Sequence, residues 1–344
     1  MQPKVLYKPH SREEVILGPE AKVDQVILGL ETSCDETAAA IVLNGRKVLA
    51  DVVSSQIEDH KIYGGVVPEV AARKHLESIN LVINEALSQA KMNIDQITAV
   101  ACTVGPGLVG ALLVGVSAAK AIAFAKNIPF IGINHLKAHV CANYIETDLE
   151  PPFICLLVSG GHTQIIYVKN YREQEIIGQT RDDAAGEAYD KVARLIDFPY
   201  PGGPNLDKAA LNGNIKAYEL PFAKVDDFDF SFSGMKTAVL RLIQKEKVLL
   251  NKQDLAASFQ EIMTEMLLQK TLQASNQFNI NKIVLAGGVA ANSGLRAKFL
   301  NLPDKYTVLV PPLKFCTDNA AMVASAGYFV DGCYDLDTEV FSRV

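Results

Sequence analysis

The sequence predicts an α/β protein in which one folding unit is used twice, giving two lobes with a cleft between them. Three observations carry this prediction. Two apolar strands, 26–30 and 153–158, each run into a turn and are followed by two further strands. Two later strands, 97–104 and 282–286, each end in glycine: Gly105-Pro106-Gly107 in one case and Gly287-Gly288 in the other. Each of these leads through a helix and a strand into a closing helix, 135–144 in the first half and 317–329 in the second. An ordinary doubly wound sheet is the alternative.

At 344 residues, 49% apolar and 21% charged, the chain has material for one or two domains with a sizeable core. The most apolar stretch, 108–125, is interrupted by Lys120 and lies inside a β-α-β pattern, so it reads as a buried helix. The first residues have no apolar signal core, and Glu13, Glu14 and Glu20 argue against a transit peptide. Cysteines 34, 102, 141, 155, 316 and 333 form no C-x-x-C pair and read as reduced thiols, so a cytoplasmic location is expected. The net charge of −6 gives no global attraction to nucleic acid.

Taken in order, residues 1–24 contain Pro3, Pro9 and Pro19, lack periodicity, and read as a loosely attached extension. The first lobe is expected over 25–150. Strand 26–30 is followed by the polar turn 31–37, strands 38–43 and 47–54, and an amphipathic helix 68–90 with Val70, Ala71, His75, Ile79 and Val82 on one face. Strand 97–104, helix 108–126, strand 129–134 and the helix from His135 complete it. The second lobe is expected over 151–344. It starts with strands 153–158, 165–168 and 173–179 around the turn Ser159-Gly160-Gly161-His162. Helices 183–196, 206–211 and 255–276 make a helical insertion at about 184–276. Strand 282–286, helix 293–300, strand 306–310 and helix 317–329 follow. This order, repeated, is the plan of the actin-like (ASKHA, RNase H-like) fold.

His135 and His139 are four apart, so both imidazoles lie on one helical face and reach one metal ion. The matching helix of the second half begins Thr317-Asp318-Asn319. Pseudo-twofold symmetry places Asp318 beside the histidines, completing a three-ligand site with open positions.

The glycine turns read as ligand loops. Exposed N–H groups at Ser159-Gly160-Gly161 suit an anion or carboxylate. Asn292 stands near the N-terminus of the helix after Gly287-Gly288, where phosphate is favoured. Asp183, Glu187 and Asp190 share a helical face beside the loop Pro201-Gly202-Gly203-Pro204, and suit ribose hydroxyls, with Asp207 a further candidate. Lys236, in the aromatic stretch 230–236, is either a phosphate or RNA contact or part of a packed loop. Together these turns suggest a nucleotide or adenylate ligand.

Several blocks resemble the TsaD/Gcp family, the tRNA adenosine threonylcarbamoyltransferases. They are 28–37 (LGLETSCDET), 63–69 (YGGVVPE), 105–112 (GPGLVGAL), His135-x-x-x-His139, 158–164 (VSGGHTQ), 182–188 (DDAAGEA) and 316–319 (CTDN). The resemblance runs from about Val26 to near Phe329. Members often carry Glu or Gln where this chain has Lys137. The resemblance implies one divalent ion, iron foremost with zinc or magnesium as alternatives, on His135, His139 and Asp318. It implies substrate contacts from Leu157, Val158, Ser159, Gly160, Gly161, Asp190, Gly203, Asp207 and Asn292. The implied reaction moves a threonylcarbamoyl group from threonylcarbamoyl-AMP to the exocyclic amine of the adenosine 3′ to the anticodon, in tRNAs reading ANN codons. Asp35 or Glu36 then orients the amine or accepts its proton. Implied partners are tRNA, a TsaB-like paralogue and a TsaE-like ATPase, with no membrane. Competing readings are an ATP-dependent small-molecule kinase of the same fold, a metalloprotease, and a non-catalytic scaffold. The protease reading suffers from Leu136, where a His-Glu-x-x-His motif needs its general base.

Overall fold

The computed structural model describes residues 18–19, 23–222, 225–246, 250–330, 332 and 335–342; the extension expected over 1–24 lies almost wholly outside them. The chain forms two units. The first takes the described residues up to Leu149 and those from Asp318 onward, and the second takes Glu150–Thr317.

In the first unit, β1 (Val26–Glu31) pairs antiparallel with β2 (Glu36–Leu43), and β2 antiparallel with β3 (Lys47–Ser55). On its other edge β1 pairs parallel with β4 (Ala99–Gly105), and β4 with β5 (Phe130–Asn134). The sheet order is therefore β3-β2-β1-β4-β5. The central strands are continuously apolar because both faces are covered. Leu28 and Leu30 meet Ile79, Val82 and Ile83 of a helix over Pro68–Ala90 and Val116 and Ala119 of another over Val109–Lys126. A short helix over Ile57–Lys61 precedes these two, so they are α2 and α3, and it is α1. Among the described helices α3 alone is long and apolar enough to cross a membrane; Ala111, Leu112, Val116, Ala119 and Ala123 of it are buried.

Residues alternate across a strand, so Ile27, Gly29 and Glu31 point to the opposite face. There the final helix, Ala320–Phe329, lies directly on β1. A Cβ at Gly29 would stand 2.2 Å from the Ala320 carbonyl oxygen, and only glycine admits that approach. The sequence predicts this helix from 317 and places it in the second lobe. Instead Asn319 caps it, accepting from the Met322 N–H at 2.9 Å, and it joins the first unit. Its Ala320, Ala324 and Gly327 are small enough to let it sit against β1 and β4.

The second unit repeats the strand order. β6 (Phe153–Val158), β7 (Thr163–Val168) and β8 (Gln174–Gln179) form an antiparallel meander. β9 (Lys282–Ala286) and β10 (Thr307–Leu309) add in parallel on the other side of β6, giving β10-β9-β6-β7-β8. Each sheet thus has the order third-second-first-fourth-fifth, and the expected duplicated actin-like α/β plan is the one observed. Counting the helix that starts at His135 as α4, the described residues between β8 and β9 form four helices: α5 (Ala185–Leu195), α6 (Gly202–Ala210), α7 (Ser233–Glu246) and α8 (Lys252–Phe278). α9 (Ser293–Leu300) lies between β9 and β10, which makes the final helix α10.

Two local expectations change. Pro201-Gly202-Gly203-Pro204 is the opening turn of α6 rather than a free loop, since proline is tolerated in a first turn. The aromatic stretch holding Lys236 leads into α7. Its start is held by Asp182, which accepts from the Phe232 N–H at 2.8 Å, the Ser233 N–H at 3.2 Å and the Ser233 hydroxyl at 2.8 Å. Burial would raise the Asp182 carboxyl, but the Ser231 hydroxyl and these donors outweigh it and hold it below its usual value. A depressed carboxyl adds stability above its unfolded pKa of about 3.9, and the gain disappears as pH falls through the folded value. Asp182→Ala should therefore lower stability by about 0.5–2 kcal/mol at pH 7, the range for a lost helix cap, and by much less near pH 2. Thermal melts of both proteins at the two pH values check this.

Candidate metal centre

Strand β5 delivers its last residue, Asn134, as the cap of α4 (His135–Cys141), where it accepts from the N–H groups of Leu136 and Lys137 at 2.9 and 3.2 Å. The cap fixes where α4 starts and which way His135 and His139 face. Their ring centroids are 4.7 Å apart. Asp318, just before α10, brings Oδ1 to 3.1 Å from Nε2 of His139 and 3.5 Å from Nε2 of His135. One ligand atom from each of the three residues falls within 4.8 Å of the others, the spacing needed to hold a metal ion. All three belong to the first unit. Because Asn319 does the capping, the Asp318 carboxylate is left for the histidines. Lys137, two residues from His135, is rotated about 200° around the helix from it, so its charge points away from the imidazoles.

A further carboxylate stands behind the triad. Glu31 is fully buried and accepts from the Ser33 N–H at 2.6 Å and the Thr103 hydroxyl at 2.7 Å, while its Oε2 lies 3.0 Å from Nδ1 of His135. Both ring nitrogens of His139 are buried without an aligned hydrogen bond. An orphaned Nε2 beside a carboxylate fits a cation, which would use the lone pair that no protein donor uses.

The electrostatics agree. Burial opposes charge on His135, but Asp318 and then Glu31 outweigh it and raise its pKa well above the usual imidazole range. Burial alone would raise the Asp318 carboxyl, yet His135 and His139 hold it far below the carboxylate range. Glu36, which accepts from the Ser55 hydroxyl at 3.2 Å, is pushed up to about 9 by burial, then by Asp318 and Asp35. Burial, then Asp35 and Asp318, also push the Cys34 thiol up. The turn carrying Asp35 and Glu36 thus feels the Asp318 charge directly. Cysteines 34, 102, 141, 155 and 316 form no disulfide among the described residues, and Cys333 lies outside them.

The second unit holds a separate cavity of about 380 Å³, lined by Gly160, Asp190, Gly203, Asp207 and Asn292 among others. Asp190 accepts from the Gly203 N–H at 3.1 Å; burial raises its carboxyl against the pull of the Gly203 and Gly202 N–H groups. Asp207 accepts from Asn292 Nδ2 at 3.0 Å, the Ser293 N–H at 3.0 Å and the Ser293 hydroxyl at 2.7 Å. It thereby ties α6 to the start of α9. Gly160 and Gly161 have open space where a side chain would be, in a turn closed by Ser159 N–H donating to the His162 carbonyl at 2.8 Å. Leu157 and Val158 are buried in β6, so only their backbone is available to a ligand. Leu157, Val158, Ser159 and Gly161 are not among the cavity's lining residues.

The shared acidic face does not act as one group. Lys191 binds Asp183 at 2.7 Å and Glu187 at 2.9 Å, leaving Asp190 alone at the cavity. Three residues here carry no sequence prediction: Glu31, Tyr189, which lines the cavity, and Ser293. Glu31 had a signal, a charge in phase with Ile27 and Gly29 on an apolar strand. Tyr189 and Ser293 had none beyond their neighbours.

Residues 47–325 match the model of the TsaD family, described as tRNA N6-adenosine threonylcarbamoyltransferase. The chain belongs to this family. It is 51% identical over 314 residues to the tRNA N6-adenosine threonylcarbamoyltransferase of Anoxybacillus flavithermus, covering 89% of this chain and 92% of the relative. The corresponding Clostridioides difficile enzyme is 52% identical, with 89% and 93% covered. Family membership makes the chain a transferase of tRNA modification rather than the kinase or protease weighed above. Among solved structures, HypF of T. kodakarensis superposes with a TM-score of 0.60 at 12% identity, over 90% of this chain and 48% of HypF. The (R)-2-hydroxyglutaryl-CoA dehydratase component A of Acidaminococcus fermentans gives 0.52 at 14%, over 89% and 98%. At such identities the likeness concerns the fold alone.

Proposed function

We propose that the chain transfers the threonylcarbamoyl group of threonylcarbamoyl-AMP to the exocyclic amine of the adenosine 3′ to the anticodon, in tRNAs reading ANN codons. The observation that carries this is the His135–His139–Asp318 triad in a member of the threonylcarbamoyltransferase family. In this reading the triad holds one divalent ion, Fe²⁺ first, with Zn²⁺ or Mg²⁺ as alternatives. When bound, the ion supplies a positive charge that templates the donor and polarises its carbonyl.

The adenylate end of the donor suits the second unit's cavity. Asp190 and Asp207 offer acceptors for ribose hydroxyls, Asn292 an amide, and Gly160 and Gly203 exposed backbone, with Leu157, Val158, Ser159 and Gly161 in the adjoining strand end and turn. In the transfer, the amine nitrogen bonds to the carbamoyl carbon, the bond from that carbon to the phosphate oxygen breaks, and AMP leaves with the electron pair. The amine proton goes to a carboxylate, for which Asp35 and Glu36 are the candidates. Burial, then Asp318 and Asp35, push the Glu36 carboxyl up to about 9, so positive charge nearby favours its role as the base. The partners in this reading are tRNA, a TsaB-like paralogue and a TsaE-like ATPase, and the setting is cytoplasmic. With a net charge of −6, tRNA must meet a local basic patch or a partner subunit.

The test is mass spectrometry of tRNA nucleosides after incubation with threonylcarbamoyl-AMP and the partner subunits. The parent protein should form threonylcarbamoyladenosine, and His135→Ala and His139→Ala should form little. Equal product from parent and variants would overturn the proposal.

A further inference from the structure

The geometry points to Glu31 as the positioning residue that fixes the tautomer of His135, and so decides which of its nitrogens meets the metal. The inference rests on the triad's metal-holding role.

Glu31 ends an apolar strand yet faces the interior, on the side of β1 that meets α10. A fully buried carboxylate is costly unless it is hydrogen-bonded. Here one oxygen takes the Ser33 N–H, and the other takes the Thr103 hydroxyl and stands 3.0 Å from His135 Nδ1. The oxygen that already accepts from Thr103 faces Nδ1 as an acceptor, so the hydrogen between them belongs to Nδ1. In the neutral ring the other nitrogen, Nε2, is then bare, and Nε2 is the atom that faces Asp318. A carboxylate behind a ligating imidazole holds the ring's orientation and raises its basicity. The Ser33 hydroxyl, 3.2 Å from the same Nδ1, adds a second polar neighbour on that side.

The Ser33 contact makes the inference testable by a single isosteric change. In Glu31→Gln the amide oxygen has to face the Ser33 N–H, because that backbone group can only donate. The new NH₂ must then face His135 Nδ1. Two donors cannot pair, so the ring moves its hydrogen to Nε2 and blocks the lone pair the ion needs. The size and shape of the side chain are unchanged.

Metal affinity is read by competition of the metal-free protein against a chromophoric chelator, with Zn²⁺ as the probe. The parent should bind one Zn²⁺ and His139→Ala should not. Glu31→Gln should melt cooperatively and bind Zn²⁺ some 10–100-fold more weakly, the range for lost outer-sphere partners. A folded Glu31→Gln protein binding within two-fold of the parent would overturn the inference. Should Glu31→Gln not fold, nitrogen NMR of the zinc-loaded parent decides. Nδ1–H with metallated Nε2 on His135 supports the assignment, and metallated Nδ1 defeats it. A parent that binds no zinc removes the triad reading itself, an outcome distinct from zinc binding that ignores Glu31.

Discussion

Asp318→Asn is expected to leave a folded protein with greatly weakened metal affinity and at least 100-fold less threonylcarbamoyladenosine formed, taking roughly the upper end of the loss seen for outer partners as a floor for a direct ligand. Asparagine keeps the shape but removes the anion between the two imidazoles. The metal-free protein should register the same loss as a pH-dependent change in stability. His135 has a raised pKa, so its contribution is fully present below about 6.5 and is lost as pH rises through the folded value. Asp318 has a depressed pKa, so its contribution is present above about 3.8 and is lost as pH falls through the folded value. The pair therefore stabilises most between those limits. The gap in melting temperature between parent and Asp318→Asn should be widest near pH 5 and narrow toward alkaline pH. A gap that grows with rising pH would contradict the assignment of charge, and unchanged zinc affinity would remove Asp318 from the site.

Gly29→Val should be among the most damaging single changes outside the triad. Its Cβ would come within 2.2 Å of the Ala320 oxygen and 2.8 Å of the Ala324 nitrogen, both backbone atoms that no side-chain rotation can move. Overpacking of this kind costs roughly 1–3 kcal/mol and shifts the backbone. For a unit of this size that is a fall of several degrees in melting temperature, at roughly 2–4 °C per kcal/mol. Asp318 lies two residues before Ala320, so displacing α10 also displaces the carboxylate of the proposed metal site. Zinc affinity should fall together with stability. Gly160→Ala is the control: nothing lies within 4 Å of its added carbon, so its melting temperature should hold. An unchanged melt and zinc affinity for Gly29→Val would show that α10 tolerates the shift.

Much of this arrangement is legible in the sequence. Strand order follows from apolar runs bounded by turns, and the histidine pair follows from helical spacing. Asp318 follows from matching the closing helices of the two halves, even though α10 seats itself on the first unit. That seating depends on the absence of side chains at Gly29 and Gly327, which periodicity does not register. Helix α7 was missed because its cap is Asp182, some fifty residues away in sequence, so no local start signal precedes it. The division of Asp183, Glu187 and Asp190 between surface and cavity depends on Lys191, whose choice of partners is a tertiary matter. Glu31 was readable only as an oddity, since its partners Thr103 and His135 are remote in sequence.

The return of α10 to the first unit has a consequence for how the protein is made. The histidines leave the ribosome long before Asp318, because the whole of Glu150–Thr317 is synthesised in between. At roughly 5–20 residues per second the delay is on the order of ten seconds or more. Throughout that time the first sheet lacks α10 on one face, and the imidazoles lack their anion. A chain cut short anywhere before Asp318 has neither, however well its second unit folds. The triad therefore marks a polypeptide made at least as far as Asp318, and a product cut short before that point lacks it.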